Sequence, residues 1–195
     1  MLAETLKRQY TPEEYLQLEE SAEYKSEYRD GEIVAMTGGT SNHNQIALNF
    51  AAYLKFALRG QNYKIYIGDM RLWIPRYRQH TYPDVMGIEG KPIFTEKNTT
   101  TVTNPSLIVE VLSKSTKNYD AGDKFLYYRS VPEFREYILI DQERHHVMQY
   151  NKTEDKKWLL SEYESEDAVL ALNSINFEIK FSEIYEQVDF TEGEE

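Results

Sequence analysis

The chain has 195 residues, with 33 acidic and 22 basic side chains and a formal charge of −11; at roughly 150 residues per domain this is one domain, able to bury roughly 70% of its unfolded surface. The acidic excess argues against gripping nucleic acid by broad phosphate neutralisation, because each phosphate contact wants a Lys or Arg, but it leaves room for a metal-dependent nuclease with clustered carboxylates. Cysteine is absent, which excludes disulfides, iron–sulfur clusters, thiolate zinc sites and cysteine nucleophiles.

The first start signal is Thr11-Pro12-Glu13-Glu14. A Thr N-cap, Pro at the first helical position and Glu14 closing a capping box predict a short helix to about Ala22. Glu27-Tyr28-Arg29 and the stretch Glu32 to Met36 flank Asp30-Gly31, a dipeptide that suits the tight turn of a β-hairpin. After the polar run Thr37 to Asn42, apolar residues at Ile46, Phe50, Tyr53, Leu54, Ala57 and Leu58 define one stripe of a helix that Gly60 stops. The period then becomes that of strands over 63–67, 69–75, 82–89 and 106–113, with 90–104 read as a loop.

A helix over 119–130 leads through Val131-Pro132 into a strand over 136–141. Short connections favour an antiparallel meander before that helix and a parallel crossover around it. The remainder predicts a β-meander over 146–150, 158–163 and 176–180, a last helix capped by Ser182 and a frayed acidic tail over 191–195. No internal repeat or long linker divides the chain. Residues 1–195 therefore read as a single α/β (α+β) domain, a mixed β-sheet flanked by helices. Its core spans about 41–141, with an N-terminal helix and hairpin at 11–36 and a C-terminal β-meander at 142–190. No run approaches about 18 apolar residues and the opening lacks the apolar stretch of a signal peptide, so a soluble, cytoplasmic protein without a membrane partner is expected. The sixteen tyrosines suit half-buried strand positions, with base stacking or a dimer contact as alternatives.

Two carboxylates stand out. Glu110 lies in Pro105 to Ser113, the most apolar strand of the chain, where a carboxylate is costly to desolvate unless paired, protonated or bound to a cation. Asp84 follows Pro83 at the start of the apolar stretch Val85 to Ile88. If the two strands are antiparallel neighbours, both acids fall at one sheet edge and form a hard-cation site; otherwise Asp84 caps a turn and Glu110 pairs with an arginine. Asp69 and Arg71 share a strand face and are expected to pair with each other. His145-His146 lacks a third ligand at helical spacing, Gly38-Gly39 lacks a following Gly-Lys-Ser/Thr, and Ser113 lacks a G-x-S-x-G frame. Zinc, P-loop and serine-hydrolase chemistries are set aside accordingly.

Pro83-Asp84 followed by Glu110 in an apolar strand, on a helix–strand–strand–strand–helix–strand order, resembles the PD-(D/E)xK nuclease superfamily. More narrowly, 24–141 resembles the Uma-type group of restriction-endonuclease-like proteins. The matches are Glu27 before Asp30-Gly31-Glu32-Ile33, His43 opening the first core helix, Asp69-Met70-Arg71, Pro83-Asp84-Val85, Glu110 to Ser113, Asp123-Lys124 with Tyr128, and Glu136-Tyr137 to Asp141. The resemblance implies a restriction-endonuclease-like fold and metal-assisted hydrolysis of DNA phosphodiester bonds, with Asp84 and Glu110 holding Mg²⁺ (or Mn²⁺).

The superfamily's usual Lys position, two residues after the Glu, is Leu112 here, and strand period puts it on the face of Glu110. The Uma-type group resembles nucleases whose Lys has moved to the following helix, where Lys124 is the matching residue. It would orient the attacking water or stabilise the growing charge; alternatively it forms an i,i+4 surface pair with Asp120. Glu27 would add a ligand or a supporting hydrogen bond, or else be an exposed hairpin carboxylate. His43 would contact a phosphate from the helix's first turn, or else be a satisfied core histidine. A homodimer is expected, because a duplex has two strands to cut, with its contact in the tyrosine-rich C-terminal meander. The competing reading is an inactive nuclease fold serving as a binding or assembly module, motivated by Leu112 and by the charge of −11.

Overall fold

In a computed structural model that describes residues 8–95, 99–113 and 117–191, the local signals act where the sequence places them. Helix α1 (Pro12–Glu20) opens on a capping box in which the Glu14 N–H donates to Thr11 Oγ1 at 3.1 Å and the Thr11 N–H to Glu14 Oε2 at 2.8 Å. Asp30 and Gly31 turn strand β1 (Ser26–Arg29) into β2 (Glu32–Ala35) with positive φ at both, 42° and 104°, the signature of a type I′ hairpin turn. Helix α2 (Ser41–Ala57) starts on the Thr40 side chain, which accepts the His43 N–H. It buries Ile46, Phe50, Ala51 and Leu54, with Leu58 just beyond its end. Tyr53 and Ala57, expected in the same stripe, face solvent instead. The buried row runs at i,i+4 and is narrower than the apolar pattern.

The strands that follow divide between two sheets. β3 (Tyr63–Ile67) pairs directly with β6 (Val85–Glu89), while β4 (Arg71–Ile74), a 3-10 turn at Pro75–Tyr77 and β5 (Gln79–Thr81) leave for the other sheet. This corrects the expected single meander. Leu72 and Ile74 are buried by facing Met86, Ile88 and Ile108 across a second core cluster, a layer rather than a neighbouring strand. Within the stretch read as a loop, β7 (Thr101–Val102) pairs parallel with β4; two residues are too few to show a period. β8 (Leu107–Leu112) lies beside β6 antiparallel. The predicted helix after it is a composite of α3 (Lys117–Tyr119), a π-helical turn (Asp120–Lys124) and α4 (Phe125–Tyr128). β9 (Glu136–Asp141) then returns parallel to β8, as expected.

β10 (Val147–Lys152) and β11 (Trp158–Tyr163) extend the same sheet, giving the order β11-β10-β9-β8-β6-β3. The second sheet runs β2-β1-β5-β4-β7. The last expected meander strand instead pairs as β13 (Glu178–Lys180) with β12 (Val169–Ala171), apart from both. Helix α5 (Phe181–Ile184) begins one residue before Ser182, with Lys180 as its N-cap, so Ser182 sits inside the first turn. The tail expectation lies outside the described residues from 192 onward. One core cluster joins α2, the C-terminal residues 170–185 and the face of the larger sheet carrying Val109 and Val111. The other joins the opposite face, carrying Leu112, to the smaller sheet and to Tyr128, Val131 and Phe134. No helix among the described residues is long and apolar enough to cross a membrane.

His80 on β5 makes a pH prediction. It is 2% exposed, stacked on Trp73 at 4.2 Å and against Tyr15 at 5.2 Å, and burial, helped by the nearby Arg71 charge, pushes it down to about 3. The unfolded chain therefore binds a proton that the folded chain refuses. His80 contributes stability that is present above about pH 6.5 and is lost as the pH falls toward that folded value, at about 1.4 kcal/mol per pH unit. Urea melts at pH 7 and pH 5 should show His80→Phe losing less stability than the parent; equal losses would assign the acid sensitivity elsewhere.

Candidate active site

The antiparallel register of β6 and β8, Val85 opposite Val109, extends by one residue to place Asp84 opposite Glu110. Because side chains alternate along β8, Glu110 points with Ile108 and Leu112 to the face away from α2 and is 3% exposed. The Asp84 Oδ2 accepts the Val111 N–H at 2.8 Å, and its Oδ1 lies 2.9 Å from His43 Nε2. Burial opposes the Asp84 charge, but His43 and the Val111 N–H hold it below the usual carboxylate range. His43 is raised in turn: burial opposes its charge, and the Asp84 hydrogen bond outweighs it. With its side chain 20% exposed at the cleft, His43 is no core histidine.

Glu110 has opposite surroundings. Its Oε1 accepts the Tyr128 hydroxyl at 2.6 Å and the Lys124 ammonium at 3.1 Å, while among the described residues its Oε2 has only a 3.4 Å contact with the Asp84 N–H. Burial pushes Glu110 up to about 8, with Lys124 opposing and Asp84 and Asp120 reinforcing. The composite helix brings Lys124 in from the end of its π-helical turn, a feature frequent at functional sites. Its Nζ stands 3.0 Å from Asp120 Oδ1, 3.1 Å from Glu110 Oε1 and 3.7 Å from Glu27 Oε1. The pair with Asp120 therefore forms, but at 8% exposure for Lys124 and 3% for Asp120 it is a buried pair and not a surface one. Burial opposes the Lys124 charge, yet Glu110, Glu27 and Asp120 together raise it well above its ordinary value. Even with Glu110 protonated, two carboxylates remain to hold the ammonium.

Glu27 is buried, not an exposed hairpin carboxylate. It accepts from Arg29 Nε at 3.0 Å and Nη2 at 2.5 Å and from the Thr81 hydroxyl. Burial opposes its charge, but Lys124, Thr81 and Arg29 hold it below the ordinary value. The Arg29 guanidinium carbon lies over the Tyr119 ring, 3.9 Å from its centroid. Asp69 and Arg71 do not meet: the chain turns at Gly68, Asp69 pairs with Lys25 at 2.7 Å, and Arg71 is buried against the Tyr15 and Tyr82 rings. Sequence reasoning named Asp120 only as a surface partner of Lys124 and Tyr128 only among the family matches, and gave neither a place in the site. Their signal was present, since they stand four residues before and after Lys124.

Among the described residues no three His, Asp or Glu side chains form a ready metal-ligand group, so the fit of a divalent cation rests on two carboxylates. Asp84 Oδ2 and Glu110 Oε1 are committed to donors, which leaves Asp84 Oδ1, shared with His43, and Glu110 Oε2. Both residues line a cleft of about 1070 Å³ together with Glu27, His43, Tyr119 and Lys124. One or two carboxylates with space for water is the donor set Mg²⁺ uses, because it keeps most of its hydration shell. The residues fit that cation.

Comparison with known proteins places the chain in a family. The chain is 45% identical over 158 residues to the uncharacterized protein sll1609 of Synechocystis sp., covering 81% of this chain and 89% of that one. A second Synechocystis sp. protein, uncharacterized slr1290, is 37% identical over 180 residues, covering 92% and 93%. The crystal structure of a "putative nuclease belonging to DUF820" from Anabaena variabilis superposes with a TM-score of 0.75 at 17% identity, over 90% of this chain and 97% of that one, which establishes a nuclease-like fold. Residues 12–182 match the Uma2 family, described as "Putative restriction endonuclease", and the chain belongs to that family.

Proposed function

We propose that the protein is a Mg²⁺- (or Mn²⁺-) dependent endonuclease that hydrolyses phosphodiester bonds of DNA, as a cytoplasmic homodimer. The observation that carries this reading is the convergence of Asp84, just before β6, Glu110 on β8 and Lys124 on the composite helix onto one cleft, with Lys124 Nζ 3.1 Å from Glu110. A bound divalent cation supplies Lewis-acid polarisation of the phosphate and a water acidified toward hydroxide. Asp84 and Glu110 would hold it. The Val111 N–H and His43 aim Asp84, and Tyr128 and Lys124 hold Glu110 from the far side. Lys124 keeps its proton against three carboxylates and so serves as a fixed positive charge for the phosphate rather than as a base. Glu27 and Asp120 fix where that charge stands.

Calorimetric titration with Mg²⁺ and Mn²⁺, paired with nicking of supercoiled plasmid, tests the reading. An endonuclease binds the cation and nicks only in its presence. An inactive nuclease fold serving as an assembly module does neither, and that outcome overturns the proposal.

Two-fold symmetry gives each strand of a duplex its own site. The outer strand β11 carries exposed Leu159 and Leu160, at 54% and 45%, within the C-terminal region where the contact is placed. Light scattering at micromolar concentration should give twice the 23.0 kDa chain mass; a monomer there rejects the dimer.

A further inference from the structure

Glu110 presents one oxygen to donors and keeps the other back. Tyr128 and Lys124 both donate to Oε1, and among the described residues Oε2 is left with a single 3.4 Å contact. The two donors are not equivalent. Lys124 divides its ammonium among Glu110, Asp120 and Glu27, so it does not by itself decide how the Glu110 carboxylate is rotated. Tyr128 has one proton to give and gives it to Oε1 over the shorter distance, 2.6 Å. Its ring is 0% exposed and wedged between Phe134 and Tyr137, with centroids 5.8 and 5.4 Å away, so the hydroxyl cannot follow a turning carboxylate.

We infer that Tyr128 is a positioning residue for the divalent cation: by capturing Glu110 Oε1 it keeps Oε2 turned toward Asp84 as the ligating oxygen. The inference rests on the cation-dependent reading above and adds to it a residue that would touch neither cation nor DNA. A hydrogen-bond partner that orients a ligating carboxylate is typically worth about 10–100-fold in metal affinity.

Tyr128→Phe tests this, because it removes the hydroxyl and keeps the packed ring. The control is Tyr15→Phe, which loses an equally short buried bond, 2.6 Å to the Ser26 carbonyl, from a hydroxyl that donates to neither Asp84 nor Glu110. Calorimetry should show Tyr128→Phe binding Mg²⁺ and Mn²⁺ about 10–100-fold more weakly, with Tyr15→Phe at the parent value. DNA nicking by Tyr128→Phe should recover as the cation is raised to saturation, which a general loss of stability would not produce. Parent-like cation affinity in Tyr128→Phe overturns the inference alone. Failure of the parent to bind either cation overturns the nuclease reading and the inference with it.

Discussion

Replacing Lys124 with Ala is expected to cost about 3–5 kcal/mol of stability, the usual penalty for stranding buried charge, and to reduce cleavage by orders of magnitude. The ammonium is the common partner of Glu27, Glu110 and Asp120, each under 5% exposed. Without it, Arg29 still offsets Glu27, while Asp120 loses the ion pair it makes with the ammonium. A divalent cation at Asp84 and Glu110 would replace part of the lost positive charge, so thermal melts of Lys124→Ala should gain more from Mg²⁺ than the parent does. Cleavage should stay lost at any cation concentration. Lys124→Arg should recover little, because a planar fork does not occupy the place of a compact ammonium among three carboxylates. Nor can the charge return to the position two residues after Glu110: Leu112 is 2% exposed inside the second core cluster, and a lysine there would bury an amine among apolar side chains. Parent-like cleavage by Lys124→Ala sinks the role given to this residue.

How much of this site could be read from the sequence follows from how far apart its parts are. Asp84 and Glu110 were legible because a single inference, that their strands are antiparallel neighbours, puts both at one edge, and the register bears that inference out. Lys124 was reachable only through family resemblance, since nothing in a helical repeat distinguishes a lysine that turns inward. Asp120 read as a surface partner of Lys124, and Tyr128 as a match without a role, for a related reason: residues over 119–130 read as one regular helix, and the π-helical turn that gathers Asp120 and Lys124 in the interior leaves no mark in hydropathy. The burial of Glu27 was out of reach. It depends on β1 lying between β2 and β5 in a sheet assembled from segments some fifty residues apart, and alternation within β1 says only that one face is covered. The departure of β4 from the expected meander has the same origin, because hairpin logic describes neighbours in sequence and not which layer a strand joins.

The two carboxylates that would hold the cation should separate activity from stability in opposite ways. Glu110→Gln is expected to abolish cation binding and nicking while leaving the protein as stable as the parent or more so. A glutamine carbonyl can accept from Tyr128 and Lys124 as Oε1 does now, and burial already favours the uncharged carboxyl, which ionises only at about 8. Lys124 keeps Glu27 and Asp120 as partners. Asp84→Asn should also abolish binding and nicking but at a cost in stability, because Asp84 is held in its charged form by His43 and the Val111 N–H. Losing a charge-assisted hydrogen bond there costs about 1.5–3 kcal/mol. Thermal melts with and without Mg²⁺ distinguish the two variants: neither should gain from the cation, and only Asp84→Asn should start lower. A Glu110→Gln protein that loses about 3–5 kcal/mol, as a broken buried ion pair would, and still binds Mg²⁺ would make Glu110 a structural partner of Lys124 and leave the cation without its second carboxylate.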